Sequence, residues 1–158
     1  MRSGRRQRGL VAFEVAIIGT VAMVVLFAVF EIARVFFVFN TLEEATRRGA
    51  RLAAVCAIND PAVREIAVFN ASGGGASSSL VPGLSTANVE ISYLNDAGGV
   101  VADPAGNYGQ IAYVRARIVN FQHQLLIPLF IRTFFTPDFS ATVPRESLGI
   151  SKDGITPC

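Results

Sequence analysis

The sequence is poor in charge, in cysteine and in the side chains of enzyme active sites. Only 16% of its 158 residues are charged, whereas a soluble domain carries about 25%. It has one histidine, two cysteines and no tryptophan. No Ser/His/Asp set, metal-ligand cluster, phosphate-binding loop or dinucleotide fingerprint can be assembled from it. We therefore predict a protein that is not an enzyme and that has no metal and no cofactor.

The sequence also lacks the overall basic charge of a nucleic-acid-binding protein. Its formal net charge is only +2, and this excludes an electrostatic footprint spread over the whole chain. The basic charge is concentrated at the start instead, in Arg2, Arg5, Arg6 and Arg8. We expect no nucleic-acid partner and a local role for these arginines.

An apolar run from Leu10 to Phe30 follows the arginines. A helix of about 20 residues spans the hydrocarbon core of a bilayer. A secretory signal fits poorly, because its apolar region is only about 7–15 residues long and ends at a cleavage site. Positive charge before a membrane span stays in the cytoplasm. We predict a transmembrane segment over 10–30, with everything after it outside the cytoplasm.

The helical pattern continues beyond the membrane segment to Ile58. The stretch from Glu31 contains no proline and a single glycine, Gly49. Glu43–Arg47 and Glu44–Arg48 have the favourable spacing and order for ion pairs along a helix. We predict one helix over 10–58, about 70 Å long, with an amphipathic second half.

The remainder, 59–158, predicts a small α+β domain. Pro61 begins a short second helix that runs to Asn70, and the Gly/Ser-rich stretch Ser72–Ser79 is typical of a flexible linker. Alternating apolar and polar residues then predict strands over 88–94, 110–119 and 139–143, which would form a small antiparallel sheet.

Two further features of this domain have ordinary explanations. The apolar stretch Leu125–Phe135 is too short to span a bilayer, so it belongs either to the core of the small domain or to a contact with a partner or the outer leaflet. His123 stands alone and is expected at the surface or at the end of a strand.

Glu14 is the ionisable residue that the apolar run should not contain. A carboxylate in a membrane helix costs about 2.5–3.5 kcal/mol at the centre and marks a functional site by default. Glu14 could reach the headgroups or pair with Arg8. If the chain were cut between Gly9 and Leu10, however, Glu14 would be the fifth residue, and it could meet the new α-amino group of a neighbouring chain in an apolar core.

This leader, "RRQRGLVAFEVAIIG", resembles that of type IV prepilins, which have a short basic peptide, a glycine, an apolar helix and a glutamate at the fifth mature position. The continuation resembles the TadE-like pseudopilins of tight-adherence (Tad) pilus systems, through Glu31–Arg34 and Arg48–Arg51. One departure is that Phe13 precedes the glutamate, whereas family members often have an aromatic residue directly after it. The resemblance is best over 5–58 and loose over the sheet region.

The resemblance implies a function and a set of partners. It implies a minor pilin or pseudopilin that helps to initiate, cap or decorate a Tad/Flp pilus used in adhesion, with a leader over 1–9 that a prepilin peptidase removes after Gly9. The implied partners are that peptidase, an inner-membrane assembly platform with its ATPase, other pilins and pseudopilins, and membrane lipid. The implied location is the bacterial inner membrane, with 59–158 in the periplasm, and the resemblance also allows the chain to enter the pilus after assembly.

Three expectations remain open at this stage. Gly49, among small residues, is expected where a partner helix packs closely, so that Gly49→Leu would weaken assembly and leave the domain folded. Cys56 and Cys158 lie outside the cytoplasm, where a disulfide can persist, but two free thiols fit the sequence equally well. A bitopic anchor whose outer domain binds a ligand and never enters a filament is the alternative function, and it would keep Met1 to Gly9.

Overall fold

The computed structural model describes residues 4–125, 133–152, 154, 155 and 158. The first helix, α1, is a single α-helix over Gly4–Val55, 52 residues long. Helix α2 covers Pro61–Ala67. The predicted class, α+β with a long N-terminal helix, a short helix and small antiparallel sheets, is confirmed.

Helix α1 ends three residues before the predicted Ile58. The amide of Cys56 still donates to the Leu52 carbonyl, at 2.8 Å, but Asn59 has a φ of 61° and lies in the left-handed region. Asp60 then begins α2, because its side chain accepts the amide of Ala62 at 2.9 Å and Pro61 needs no acceptor at this position. The chain therefore reverses direction within a few residues.

The principal sheet contains the three predicted strands. Strand β1 is Val89–Leu94, β2 is Tyr113–Ile118 and β5 is Phe139–Pro144, and both pairings with the central β2 are antiparallel. The short strands β3 (Gln122–Gln124) and β4 (Thr133–Phe135) form a two-stranded sheet, as do β6 (Ile150–Ser151) and β7 (Gly154–Ile155). The sequence did not predict these short pairs, because two or three residues carry no measurable alternation.

Contacts between residues divide the chain into two compact units. In the first unit, α1 up to Phe37 keeps its large apolar side chains exposed; Leu10, Phe13 and Phe30, for example, are 71%, 65% and 69% exposed. Within the described residues, one helix is long and apolar enough to cross a membrane, and it lies over Gly9–Val55. This unit also contains a salt bridge between Arg34 and Glu31, at 2.9 Å, just after the apolar run.

In the second unit, α1 from Val38 onward is the centre of a hydrophobic core. Its buried face consists of small residues and one leucine, and these pack on the inner face of the sheet and on α2. The buried positions on this part of α1 are Val38, Leu42, Ala45, Thr46, Gly49, Ala50, Ala53 and Ala54. Small side chains allow the helix axis to approach the sheet closely, so the core is dense although its helix contributes little volume.

Several sequence-based expectations about this unit were wrong in detail. Of the two predicted ion pairs, Glu43–Arg47 forms, at 2.5 Å, but Glu44–Arg48 does not. The guanidinium of Arg48 instead lies over the ring of Phe69, 5.8 Å from its centroid. His123 is not at the surface but 4% exposed. Most of the apolar stretch Leu125–Phe135, residues 126–132, lies outside the described residues.

The Gly/Ser-rich stretch Ser72–Ser79 is a bonded loop in the structure rather than a free linker. The side-chain amide of Asn70 donates to the carbonyls of Gly75 and Ser77, at 2.9 and 2.6 Å. The amide of Gly73 donates to Glu65, and the hydroxyl of Ser79 donates to the carbonyl of Phe69. The composition of the stretch predicted flexibility and could not reveal these hydrogen bonds, because each of them has one partner outside the stretch.

Candidate assembly site

The residues of the predicted cleavage and assembly site lie on the exposed part of α1. Gly9 is exposed, and a Cβ built on it would meet nothing within 4 Å. Leu10 follows at 71% exposure. Nothing in the described part of the chain covers this peptide bond, which lies within α1.

Glu14 lies one helical turn beyond Leu10 and is also exposed. Among the described side chains, no ion pair or hydrogen bond is made to its carboxylate. Its neighbours Phe13 and Val15 are exposed apolar residues. In an apolar surrounding, a carboxylate with no partner of its own chain needs a counter-charge from elsewhere.

Thr20 shows how a polar residue of the same segment is satisfied without a partner chain. Its hydroxyl donates to the carbonyl of Ala16, one turn earlier, at 2.8 Å. A carboxylate has no proton to donate at neutral pH, so the helix cannot satisfy Glu14 in this way. The two polar residues of the apolar run therefore differ in their need for an external partner.

The apolar segment ends at Glu31 and Arg34. Glu31 is 9% exposed, and Arg34 donates to its carboxylate and also to the carbonyl of Gln124, at 3.2 Å. Both charges are therefore hydrogen-bonded within the chain. Of Glu14 and Glu31, Glu14 is the one that has no partner among the described side chains.

Gly49 lies at a close approach, but its neighbours belong to its own chain. A Cβ built on Gly49 would lie 3.2 Å from the Cβ of Ala67 in α2 and 3.3 Å from the Cβ of Ala116 in β2. A side chain at Gly49 would therefore require α2 and the central strand to shift, so we now expect Gly49→Leu to act on the stability of the domain as well as on assembly. The sequence showed that small residues cluster here but could not show what packs against them.

Cys56 and Cys158 are joined by a disulfide bond in the structure, with their Cα atoms 5.5 Å apart across 102 residues. Cys56 is buried at the end of α1, and Cys158 is exposed. Asp60 contributes to the same region, because its second carboxylate oxygen accepts the amide of Cys158 at 2.7 Å. Sequence reasoning missed this role of Asp60; the Asp-Pro pair indicated the helix start but not the bond to a residue 98 positions away.

The turn between α1 and α2 contacts a buried tyrosine. Tyr93 in β1 is 4% exposed, and its hydroxyl oxygen accepts the amide of Asn59 at 3.2 Å. Burial raises the pKa of the Tyr93 phenol, and the hydrogen bond from Asn59 acts in the opposite direction. The neutral phenol is thus the form that fits the turn between α1 and α2.

The described residues contain no group of three or more His, Cys, Asp or Glu side chains that could hold a metal ion. What they present is a helix whose first half exposes an apolar segment with one carboxylate, Glu14, inside it, and whose second half is enclosed by a small α+β domain.

Residues 9–51 match the family model described as TadE-like protein. The N-terminal region of the chain is therefore similar to TadE-like proteins, as the sequence resemblance predicted. The match covers Gly9, Leu10, Glu14 and Gly49, and it ends before Cys56. No curated protein and no solved structure matches the chain significantly.

Proposed function

We propose that this protein is a minor pilin or pseudopilin that takes part in the assembly of a Tad/Flp pilus, by initiating, capping or decorating the filament. The observation that supports this best is the exposed apolar half of α1, in which Glu14 has no partner among the described side chains, in a region that matches the TadE-like family model. A monomer with such a surface needs lipid or other helices to cover it.

In the proposed mechanism, the leader 1–9 remains in the cytoplasm, and α1 crosses the inner membrane. A prepilin peptidase cuts after Gly9, and Leu10 becomes the mature N-terminus. The α-amino group of one subunit then pairs with Glu14 of a neighbour displaced by about one helical turn. The low dielectric of the helix bundle strengthens this pairing and fixes the stagger between subunits.

The domain after α1 lies in the periplasm in this proposal. The disulfide between Cys56 and Cys158 fits an oxidising compartment. The inner-membrane assembly platform and fellow pilins or pseudopilins are the partners that the proposal requires. The chain itself catalyses nothing in it.

The decisive experiment is N-terminal sequencing of the protein from cells that contain its cognate peptidase. We expect the mature chain to begin at Leu10, and we expect Gly9→Val to remain uncut yet inserted in the membrane. Gly19→Val is the matched control, since Gly19 lies in the same helix and a Cβ there also meets nothing within 4 Å. An intact wild-type N-terminus would leave the bitopic anchor, with its outer domain as a binding module, as the function.

A further inference from the structure

The outer edge of strand β5 is the feature that neither the assembly site nor the core explains. In the three-stranded sheet, β5 has β2 on one side and no strand on the other within the described residues. The exposed strand edge borders a groove of about 360 Å³, whose opposite wall is α1. The strand contributes Ser140, Ala141, Thr142 and Val143 to this groove.

The register determines which main-chain groups are unpaired. Arg145 donates its amide to the carbonyl of Ala112, and Val143 and Ala141 lie opposite Val114 and Ala116. Since main-chain groups alternate sides along a strand, the odd-numbered residues of β5 face β2. The amides and carbonyls of Ser140 and Thr142 therefore point outward, and both residues are exposed.

The edge available for pairing is short because it ends at Pro144. Proline has no amide hydrogen and cannot donate to an added strand. The pairing surface therefore runs from Phe139 to Val143. This length accommodates one extended segment of about five residues, which is a common strand length.

The α1 wall of the groove contains one cation, Arg51, that would attract an acidic side chain of a segment bound there. Thr46 donates its hydroxyl to the carbonyl of Glu43, and Arg47 pairs with the Glu43 carboxylate at 2.5 Å. These groups are therefore satisfied within the helix. Arg51, one turn further on, is exposed and forms no salt bridge with any residue that the structure describes.

We propose that the edge of β5 accepts an extended segment of a partner protein by strand addition, and that this segment carries a carboxylate side chain facing Arg51. The main-chain groups of Ser140 and Thr142 would supply hydrogen bonds, and Arg51 would select for an acidic residue. The proposal rests on the geometry of the second unit alone and does not require cleavage after Gly9 or entry into a filament.

The test uses the full-length chain in detergent micelles and three synthetic peptides of about seven residues. The peptides alternate threonine with glutamate, with glutamine or with lysine. Amide hydrogen exchange, followed residue by residue by NMR, reports pairing at Ser140 and Thr142. We expect the glutamate peptide to slow exchange at these two amides and to bind roughly tenfold more tightly than the lysine peptide.

Variants separate the two elements of the proposal. Thr142→Pro removes an outward amide that β2 does not use and should abolish the protection, whereas Thr142→Ala keeps the amide and should bind normally. Arg51→Glu should reverse the preference between the glutamate and lysine peptides. Lys152→Glu, which changes an exposed cation away from the groove, is the control and should alter nothing.

Three outcomes would overturn the proposal. The first is unchanged exchange at both amides at saturating glutamate peptide, and the second is equal binding of all three peptides. The third is protection that grows with protein concentration without any peptide, because that result would assign the edge to a second copy of this chain. If Thr142→Pro fails to fold, the Arg51→Glu comparison still decides the question.

Discussion

The two halves of α1 are equally helical, but different surroundings cover them. Up to Phe37 the helix exposes large apolar side chains, whereas from Val38 onward it buries alanines, a glycine and Leu42 against a sheet. Large side chains suit lipid, whose chains adapt to them, and small ones suit a rigid sheet at close range. The size of the apolar residues, more than their hydrophobicity, thus indicates which half of the helix belongs to the domain.

The largest expected effect tests the exposed half. Glu14→Val should insert and be cut after Gly9, as we expect of the wild type, and then fail to assemble. Removing one partner of a buried ion pair costs about 3–5 kcal/mol, which lowers the association constant more than roughly a hundredfold. The measurement is the recovery of pili from the cell surface together with pull-down of partner pseudopilins.

Two variants sharpen this prediction. Glu14→Gln keeps the shape and the hydrogen bonding but removes the charge, and it should also assemble poorly. Thr20→Val removes the other polar group of the segment, whose hydroxyl is already bonded to Ala16, and it should assemble normally. Normal piliation by Glu14→Val would mean that the carboxylate is only an interfacial charge.

The second largest expected effect concerns the enclosed half of α1, whose end is linked to Cys158 by the disulfide bond. In the chain-entropy model, closing a loop of about 100 residues contributes up to ~4.7 kcal/mol to the free energy of unfolding. Cys158→Ser should lose about 2–5 kcal/mol, and reductant should have no further effect on this variant. Cys158 is the better site for this test because Cys56 is buried and its serine would add a buried hydroxyl.

Urea unfolding of the full chain in micelles, followed by near-ultraviolet circular dichroism of the tyrosines, measures this loss. Mass spectrometry under non-reducing conditions tests the bond directly. If both thiols of the folded protein alkylate completely without reductant, the chain contains two free cysteines in solution, and the expected loss disappears.

The third prediction compares two glycines of the same helix. Gly49→Leu should lower the free energy of unfolding by about 1–3 kcal/mol or more, because overpacking forces α2 and β2 apart. Gly19→Leu should not lower it, since a Cβ at Gly19 meets nothing within 4 Å. The same urea titration measures both. Equal stability of the two variants would contradict the close approach at Gly49.

These glycines also show how much the sequence could predict. The long helix and the three strands of the main sheet followed from periodicity and composition, whereas the roles of Gly9 and Glu14 come from the resemblance of the leader and stay predictions. The partners of Gly49 did not, because they come from α2 and β2, whose distances from α1 depend on tertiary packing. Sequence patterns report what a residue prefers, whereas its neighbours depend on the whole fold.

The same limit applies to the groove beside β5. Alternation predicted a strand over 139–143, and the helical spacing placed Arg47 and Arg51 on adjacent turns. That these arginines and β5 line one groove depends on the order of strands in the sheet, which places β5 at an edge. No local pattern distinguishes an edge strand this short from a central one, so the candidate binding surface was visible only in the structure.

The smallest expected effect is at the end of the enclosed half, where Asp60 makes two separate hydrogen bonds. One oxygen caps α2 at the amide of Ala62, and the other accepts the amide of Cys158. Asp60→Ala removes both bonds and should lower the free energy of unfolding by about 1–2 kcal/mol, the usual cost of a lost N-cap with a second bond added.

Asp60→Asn separates the two bonds. Its amide oxygen still caps α2, but its NH₂ group donates and cannot accept the amide of Cys158. We therefore expect Asp60→Asn to lower the free energy of unfolding by about 0.5–1 kcal/mol less than Asp60→Ala does. Urea titrations of the oxidised protein measure both variants. In the Cys158→Ser background, where nothing covalent holds the tail, the cost of Asp60→Asn should become smaller because the tail is already free to leave. An undiminished cost in that background would show that Asp60 stabilises the turn after α1 independently of the tail.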